Sequence, residues 1–510
     1  MNGLVATDNH LATAAGLAAL RDGGSAADAA IAAAAVCAVV LPQSTSIGGD
    51  VFALHYDART REVTAYNGSG AAPAALPGFT SFPDGGAAVA TVPGCIAAWA
   101  DLLEDHGRLG LEAALQSAVG YAEQGFPVSD GLAAAIAESR DKLGRDPESA
   151  RTFIPRGRTP AAGTMLPQPD LAATLREVAA QGADAFYRGA LAERLARGIE
   201  SAGGTLTADD LASHATERKA ALEITYRGLR FFGQPPVSQG HILLEELLMA
   251  EGFPLAEHKP GDPELVHLMV ELKKLAFADR DAHAGDPRHV DFEVARLFDP
   301  EFIEARRKHV GSRAAERAEA GALATPAHTT YLAVVDRDGN AVSLIESVFS
   351  QFGSGAIAPG TGVLLNDRLT GFSLDPRSPN SLVPGKRPVH TLNAAMVLEG
   401  SQPRFVFGTP GRQAQVQTNF QLAVSLIDHG LDVQEAIELP RWFHEAGRTL
   451  RLEARYPEGT RRALQAKGHE IELLPEWAEV TGGAQAIAID ASGGFAGGAD
   501  PRREGYAAGY

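Results

Sequence analysis

The spacing of hydrophobic and polar positions changes along the chain. Residues 11–21 and 25–40 carry apolar positions at helical spacing and are split by Gly23-Gly24; Ser25, with Asp28 three residues on, marks a helix start. Pro42 ends the second helix, and Gly48-Gly49-Asp50 leads into a strand over 51–56. Glycines there permit a tight turn or a close backbone approach. A phosphate loop would need a helix after them, and none follows. Helical patterning returns over 95–124, 171–201 and 265–283, with a strand-like run at 226–232. Beyond residue 329 the chain is richer in strands. Two β-rich runs, 329–336 and 341–349, joined through Asp338-Gly339, predict a hairpin. Further strands are predicted at 362–366, 394–398, 404–408 and 485–490, with a helix over 414–429 and a last hairpin in the Gly-rich tail, 493–510. Strands gathered between helical stretches argue for layered rather than alternating βαβ architecture.

Composition narrows the class. At 510 residues the chain can build one large core or several domains. Its 45% hydrophobic and 21% charged content is that of a globular protein. A net charge of −18 argues against nucleic acid and anionic membrane surfaces as partners. The two cysteines, Cys37 and Cys95, lie in small apolar surroundings, which suits inert buried thiols and gives neither a disulfide scaffold nor zinc spacing. The longest apolar run, 26–41, is short, alanine-dominated and interrupted by Asp28, so no membrane span is expected. With no basic leader visible, a cytoplasmic location is the default expectation. The clearest composition shift is 306–327, a polar, Ala/Gly-rich stretch ending in Thr325-Pro326, suited to an exposed, cuttable connection.

That connection delivers the chain to Thr329. Most threonines opening a strand are simply β-branched strand residues. If the bond between His328 and Thr329 were cut, however, Thr329 would carry a hydroxyl and a free α-amine on one residue, a nucleophile with its own base. No Gly-x-Ser-x-Gly elbow or His-Glu-x-x-His competes with it, and no metal-ligand spacing is visible.

Dispersed motifs raise this reading. Gly23-Gly24-Ser25-Ala26-Ala27-Asp28-Ala29-Ala30, Gly48-Gly49-Asp50, Thr91-Val92-Pro93-Gly94, Tyr226-Arg227-Gly228 with Pro235-Pro236, and Ala278-Asp279-Arg280 with Gly285-Asp286-Pro287 form one series. Thr329-Thr330 through Asp338-Gly339-Asn340, Gly408-Thr409-Pro410-Gly411, Pro440-Arg441 and Asp500-Pro501-Arg502 complete it. Together they resemble the γ-glutamyltransferase family of N-terminal-nucleophile hydrolases over essentially the whole chain. The resemblance implies an α+β fold, a four-layer αββα sandwich. It implies autocatalytic cleavage of a zymogen between His328 and Thr329, giving fragments 1–328 and 329–510 interleaved in one domain. The mature form would be a heterodimer of the chain's own fragments, either alone or paired again, acting on a small-molecule amide with no cofactor and no metal. Thr329 would be the nucleophile, Ser347 the hydroxyl that holds its amine, and the backbone N–H groups of Gly411 and Arg412 the oxyanion donors. Two roles stay open for Ser347, which is otherwise an ordinary strand serine, and for the Arg412 side chain, otherwise a surface cation after a turn.

The substrate pattern departs from the family. Phe349 stands at the family's asparagine, Gly371 at the aspartate that pairs with the substrate ammonium, and His390 and Thr391 at a pair of serines. Residues 72–77 hold no arginine for an α-carboxylate, and the 372–386 loop is short. Without an ammonium partner, a buried substrate charge would cost several kcal/mol. Arg368, Arg412 and His390 leave a basic pocket, and the pattern looks similar to the oxamate amidohydrolase branch. The expected function is hydrolysis of, or acyl transfer from, a small anionic amide. A true γ-glutamyl transferase (glutathione hydrolase), a glutaryl or cephalosporin-type acylase, and a non-catalytic binding relative are the alternatives. Arg368 reads equally as a structural loop cation, and His390 as a satisfied buried histidine.

Overall fold

Ser25 opens a deeply buried helix. In the computed structural model, which describes residues 2–316 and 329–510, the Asp28 N–H donates to the Ser25 hydroxyl while the Asp28 carboxylate accepts from the Ser25 N–H. The helix that follows, Ala26–Val40, has every residue buried. Its alanines let it approach both the helix His10–Arg21 and the strand Thr330–Asp336 closely.

Two antiparallel sheets stack at the centre. The first runs in space as Tyr506–Gly509, Gly3–Thr7, Thr330–Asp336, Ala341–Ser347, Asp50–Asp57, Glu62–Gly68 and Glu217–Ala220. The second runs as Phe495–Ala499, Gln485–Ile489, Gln402–Gly408, Ala394–Glu399, Leu229–Gly233 and Leu222–Tyr226. Period-two alternation sorts the strand residues between layers. Tyr331, Ala333 and Val335 pack between the sheets, whereas Leu332 and Val334 pack under the first helical layer. In the second sheet Met396 and Val406 point inward, and Val397 and Phe407 meet a second helical layer that includes Gly240–Ala250, Pro263–His283 and Ala414–Ile427. The result is the expected αββα sandwich. Burial on both faces explains why 329–336 reads as a continuous apolar run.

Several boundaries differ from the sequence reading. The run at 226–232 is a hairpin, Leu222–Tyr226 with Leu229–Gly233, turning at Arg227 (φ 49°) and Gly228 (φ 79°). The tail is no hairpin: Phe495–Ala499 joins the second sheet and Tyr506–Gly509 the first, where it pairs with Gly3–Thr7. That places the Asn2 N–H 2.6 Å from the Tyr510 carbonyl oxygen. The hairpin strand expected to reach Phe349 stops at Ser347, and the strand expected at 362–366 shrinks to Val363–Leu364.

The polar stretch at 306–327 is not uniform either. Arg306 and Arg307 end the helix Pro300–Arg307. The chain then lies on Pro263–His283: His267 Nε2 meets the Gly311 oxygen at 2.9 Å, Lys274 donates to the Ala315 oxygen at 2.8 Å, and the Ala315 N–H donates to Glu271 at 3.2 Å. Residues 317–328, including His328 of the expected scission, lie outside the described residues. Among the described residues no helix is long and apolar enough to cross a membrane.

Candidate active site

Thr329 sits just before the central strand Thr330–Asp336 and is 1% exposed. The hairpin register pairs Thr330 with Glu346, and continuing it by one residue sets Ser347 opposite Thr329. The two side chains meet: the Thr329 hydroxyl donates to Ser347 Oγ at 3.1 Å. The far end of the hairpin is pinned by Asp336, whose carboxylate accepts from the Ala26 N–H and from Asn340. Gly48 and Gly49 allow the neighbouring backbone in: a Cβ on either would lie 2.2 Å from the Leu364 oxygen or 2.4 Å from the Ser347 oxygen. Of the two uses the sequence left open, a tight turn or a close approach, the glycine pair serves close approach.

Beyond Ser347 the chain bends at Phe349 (φ 82°), whose N–H donates to Ser347 Oγ at 2.8 Å. Left-handed backbone at a bulky residue is strained and persists where surroundings impose it. Here the ring is held by two guanidiniums, Arg368 and Arg412, each with Cζ 4.4 Å from its centroid. Arg412 also donates to Ser350 Oγ at 2.6 Å, and burial lowers its pKa to about 10, with Asp367 opposing the shift. Arg368 is fully buried, and its Nε donates to Asp50 Oδ2 at 2.9 Å, also fully buried. Burial pushes the Asp50 pKa up despite Arg368 and the Gly70 N–H. Gly371 lies against the same group: a Cβ there would sit 3.7 Å from Phe349 Cζ and 3.9 Å from Arg368 Cδ. The ring and the arginine stem occupy the room beside the missing carboxylate.

Gly411 (φ 127°) and Arg412 (φ 50°) form the bend that starts the helix Ala414–Ile427, and their carbonyls accept from Ala414 and Gln415. Backbone N–H groups ahead of a helix N-terminus suit a developing negative charge. Gly482 closes on this bend, with its Cα 3.2 Å from where a Gly411 Cβ would lie. His390 is fully buried, and burial reinforced by Arg368 and Arg387 holds its pKa far below the ordinary imidazole value. Thr391 is 8% exposed beside it.

Three further residues join the site. Arg503 donates to the Thr329 carbonyl oxygen at 2.8 Å and lies 3.5 Å from Asp8. Burial raises the Asp8 pKa to about 6, opposed by Arg503 and Gln485. Asp50 was visible only as the end of a glycine turn, and Arg503 only as the neighbour of Asp500-Pro501-Arg502. Asp8 carried no local signal.

One set of residues outside the site has metal-ligand composition: among the described residues His267, Glu271 and His469 bring ligand atoms within 4.8 Å of one another, which their sequence separation hides. They are engaged otherwise. His267 Nδ1 and His469 Nε2 share a 2.9 Å hydrogen bond, and Glu271 accepts from Lys274 at 2.8 Å.

Comparison with known proteins agrees with the layered fold. The Gamma-glutamyltranspeptidase family model matches residues 12–510. The chain is 37% identical to the glutathione hydrolase-like YwrD proenzyme of Bacillus subtilis (strain 168), over 99% of this chain and 98% of that one. It is 37% identical to the oxamate amidohydrolase proenzyme of Klebsiella pneumoniae, over 100% of this chain and 98% of that one. Among solved structures, the cephalosporin acylase from Bacillus halodurans superposes with a TM-score of 0.94 at 37% identity, covering 100% of this chain and 96% of the other. The chain belongs to the gamma-glutamyltranspeptidase family and is an N-terminal-nucleophile amidohydrolase.

Proposed function

We propose that the chain is a self-cleaving threonine amidohydrolase that hydrolyses a small anionic amide through an acyl-enzyme on Thr329. In the precursor the Thr329 hydroxyl attacks the His328 carbonyl carbon, the acyl group shifts from N to O, and water hydrolyses the ester. This frees a Thr329 α-amine whose reference pKa of about 7.7–8.0 lets it act as a base near neutrality. The amine then takes the hydroxyl proton as Oγ1 attacks the substrate amide carbon. The N–H groups of Gly411 and Arg412 stabilise the tetrahedral oxyanion, and the amine returns the proton to the departing nitrogen. Ser347 orients the nucleophile. The fragments 1–328 and 329–510 stay together because the first sheet holds strands of both, with Gly3–Thr7 of the first lying between Tyr506–Gly509 and Thr330–Asp336 of the second.

The observation that carries the substrate class is the Phe349 ring held between Arg368 and Arg412, with glycine at 371. Such a pocket repels a substrate ammonium, and its nearby carboxylates, Asp50 and Asp367, already offset the charges of Arg368 and Arg412. The test is kcat/KM for γ-glutamyl p-nitroanilide against glutaryl p-nitroanilide and oxamic amides. Preference for a donor without the α-ammonium is expected, and preference for the γ-glutamyl compound rejects the reading. A glutaryl or cephalosporin-type acylase is the second reading, favoured by the TM-score of 0.94 to a cephalosporin acylase. The glutaryl and oxamic arms separate the two.

A further inference from the structure

Resting on that substrate reading, we infer that Arg368 and His390 form the receptor for the free carboxylate of the acyl donor, with Asp50 and Phe349 as its positioning residues. Arg368 is fully buried, yet only its Nε is used, by Asp50. Nη1 and Nη2 have no hydrogen-bond partner among the described residues. Leaving two guanidinium nitrogens buried and unpaired is costly, and such exceptions call for an explanation. His390 presents the same anomaly: it is fully buried with both ring nitrogens unpartnered among the described residues, its ring 5.0 Å from that of Phe52. Asp50, which holds Arg368, and Phe52, which packs on His390, lie two residues apart on one face of the strand Asp50–Asp57, so the two unsatisfied groups are neighbours.

Their chemistry selects one ligand type. Asp50 takes one edge of the guanidinium and leaves the Nη1/Nη2 fork, whose spacing matches two carboxylate oxygens. A neutral imidazole adds one N–H donor. The Phe349 ring fixes the arginine in the plane it needs. Through Phe349 the receptor is also tied to the nucleophile, because the Phe349 N–H and the Thr329 hydroxyl both donate to Ser347 Oγ. The donor is then a dicarboxylic acid monoamide: the amide carbonyl goes to Thr329 and the free carboxylate to Arg368.

A matched pair of substrates tests this: glutaryl p-nitroanilide and its isostere with a terminal carboxamide. The wild type should favour the carboxylate by about 10- to 100-fold in kcat/KM. Arg368→Gln should bring the ratio close to one, and Arg368→Lys, which keeps charge without the fork, should fall between. A ratio that survives Arg368→Gln in protein shown by gel to have matured overturns the receptor while leaving the threonine chemistry intact. A wild type preferring γ-glutamyl p-nitroanilide would instead remove the substrate reading beneath it. Because Arg368→Gln leaves Asp50 buried and unpaired, His390→Gln provides a second arm. Glutarate should raise the Tm of the wild type more than glutaramate does, and His390→Gln should shrink that difference. An unchanged difference counts against the receptor.

Discussion

The observed hairpin register explains why Thr329 and Ser347, singled out together by resemblance, meet. In an antiparallel hairpin, positions equidistant from the turn face one another. Thr329 and Ser347 lie nine residues either side of Asp338, and they meet. Thr329→Ala should leave one full-length band on a denaturing gel and abolish amide hydrolysis. It deletes one hydroxyl and one hydrogen bond worth about 1 kcal/mol, so the fold survives. Asp8 and Arg503 were not legible in this way, because each reaches the site from a different end of the chain. Asp8 makes a pH prediction. Its pKa rises from 3.8 to about 6 on folding, so the folded protein holds the proton more tightly than the unfolded chain. Its contribution to stability is therefore complete below pH 3.8, declines as pH climbs to about 6, and above that is a cost of roughly 3 kcal/mol. The Tm of the wild type, measured relative to Asp8→Asn, should fall between about pH 4 and pH 7. A constant difference would show that Asp8 does not titrate there.

Elements announced themselves where local chemistry sets them. The Ser25–Asp28 cap fixed the start of Ala26–Val40, and Asp338-Gly339 marked the hairpin of Thr330–Asp336 with Ala341–Ser347. The turn inside 226–232 went unseen because Arg227, not an asparagine or glycine, occupies its first left-handed position. The tail misled for another reason: two strands close in sequence serve different sheets, which no local pattern reports. Glycines mark where elements touch. A Cβ on Gly70 would fall 1.6 Å from the Val92 oxygen, next to the N–H that serves Asp50. Gly70→Ala should therefore destabilise by about 3 kcal/mol and lower the Tm by several degrees. Gly78→Ala, with nothing among the described residues within 4 Å of the added atom, should leave it unchanged.

At the scale of the whole molecule, the layers followed from sequence once resemblance named the family, but the order of strands did not. The first sheet interleaves strands from near residue 3, residue 50, residue 217, residue 330 and residue 506, a set of long-range pairings that composition and periodicity leave open. The pocket chemistry was half legible. Gly371 and Phe349 stood out as departures, but the packing of the ring against Arg368 and the use of Asp50 needed three segments distant in sequence to be brought together.

The pairing of Tyr506–Gly509 with Gly3–Thr7 leaves the two chain ends in hydrogen-bond contact. The gene could accordingly be written in another order. A circular permutant beginning at Thr329, running to Tyr510, crossing a short glycine-serine link to Asn2 and ending at Glu316 closes no long gap. Methionine aminopeptidase removes an initiator methionine before threonine, so this protein would be born with the free threonine amine that the proposed self-cleavage would otherwise supply. It should hydrolyse the preferred amide as a single unbroken polypeptide, with no lag for maturation, and mass spectrometry of its N-terminus together with a progress curve from the first seconds would show it.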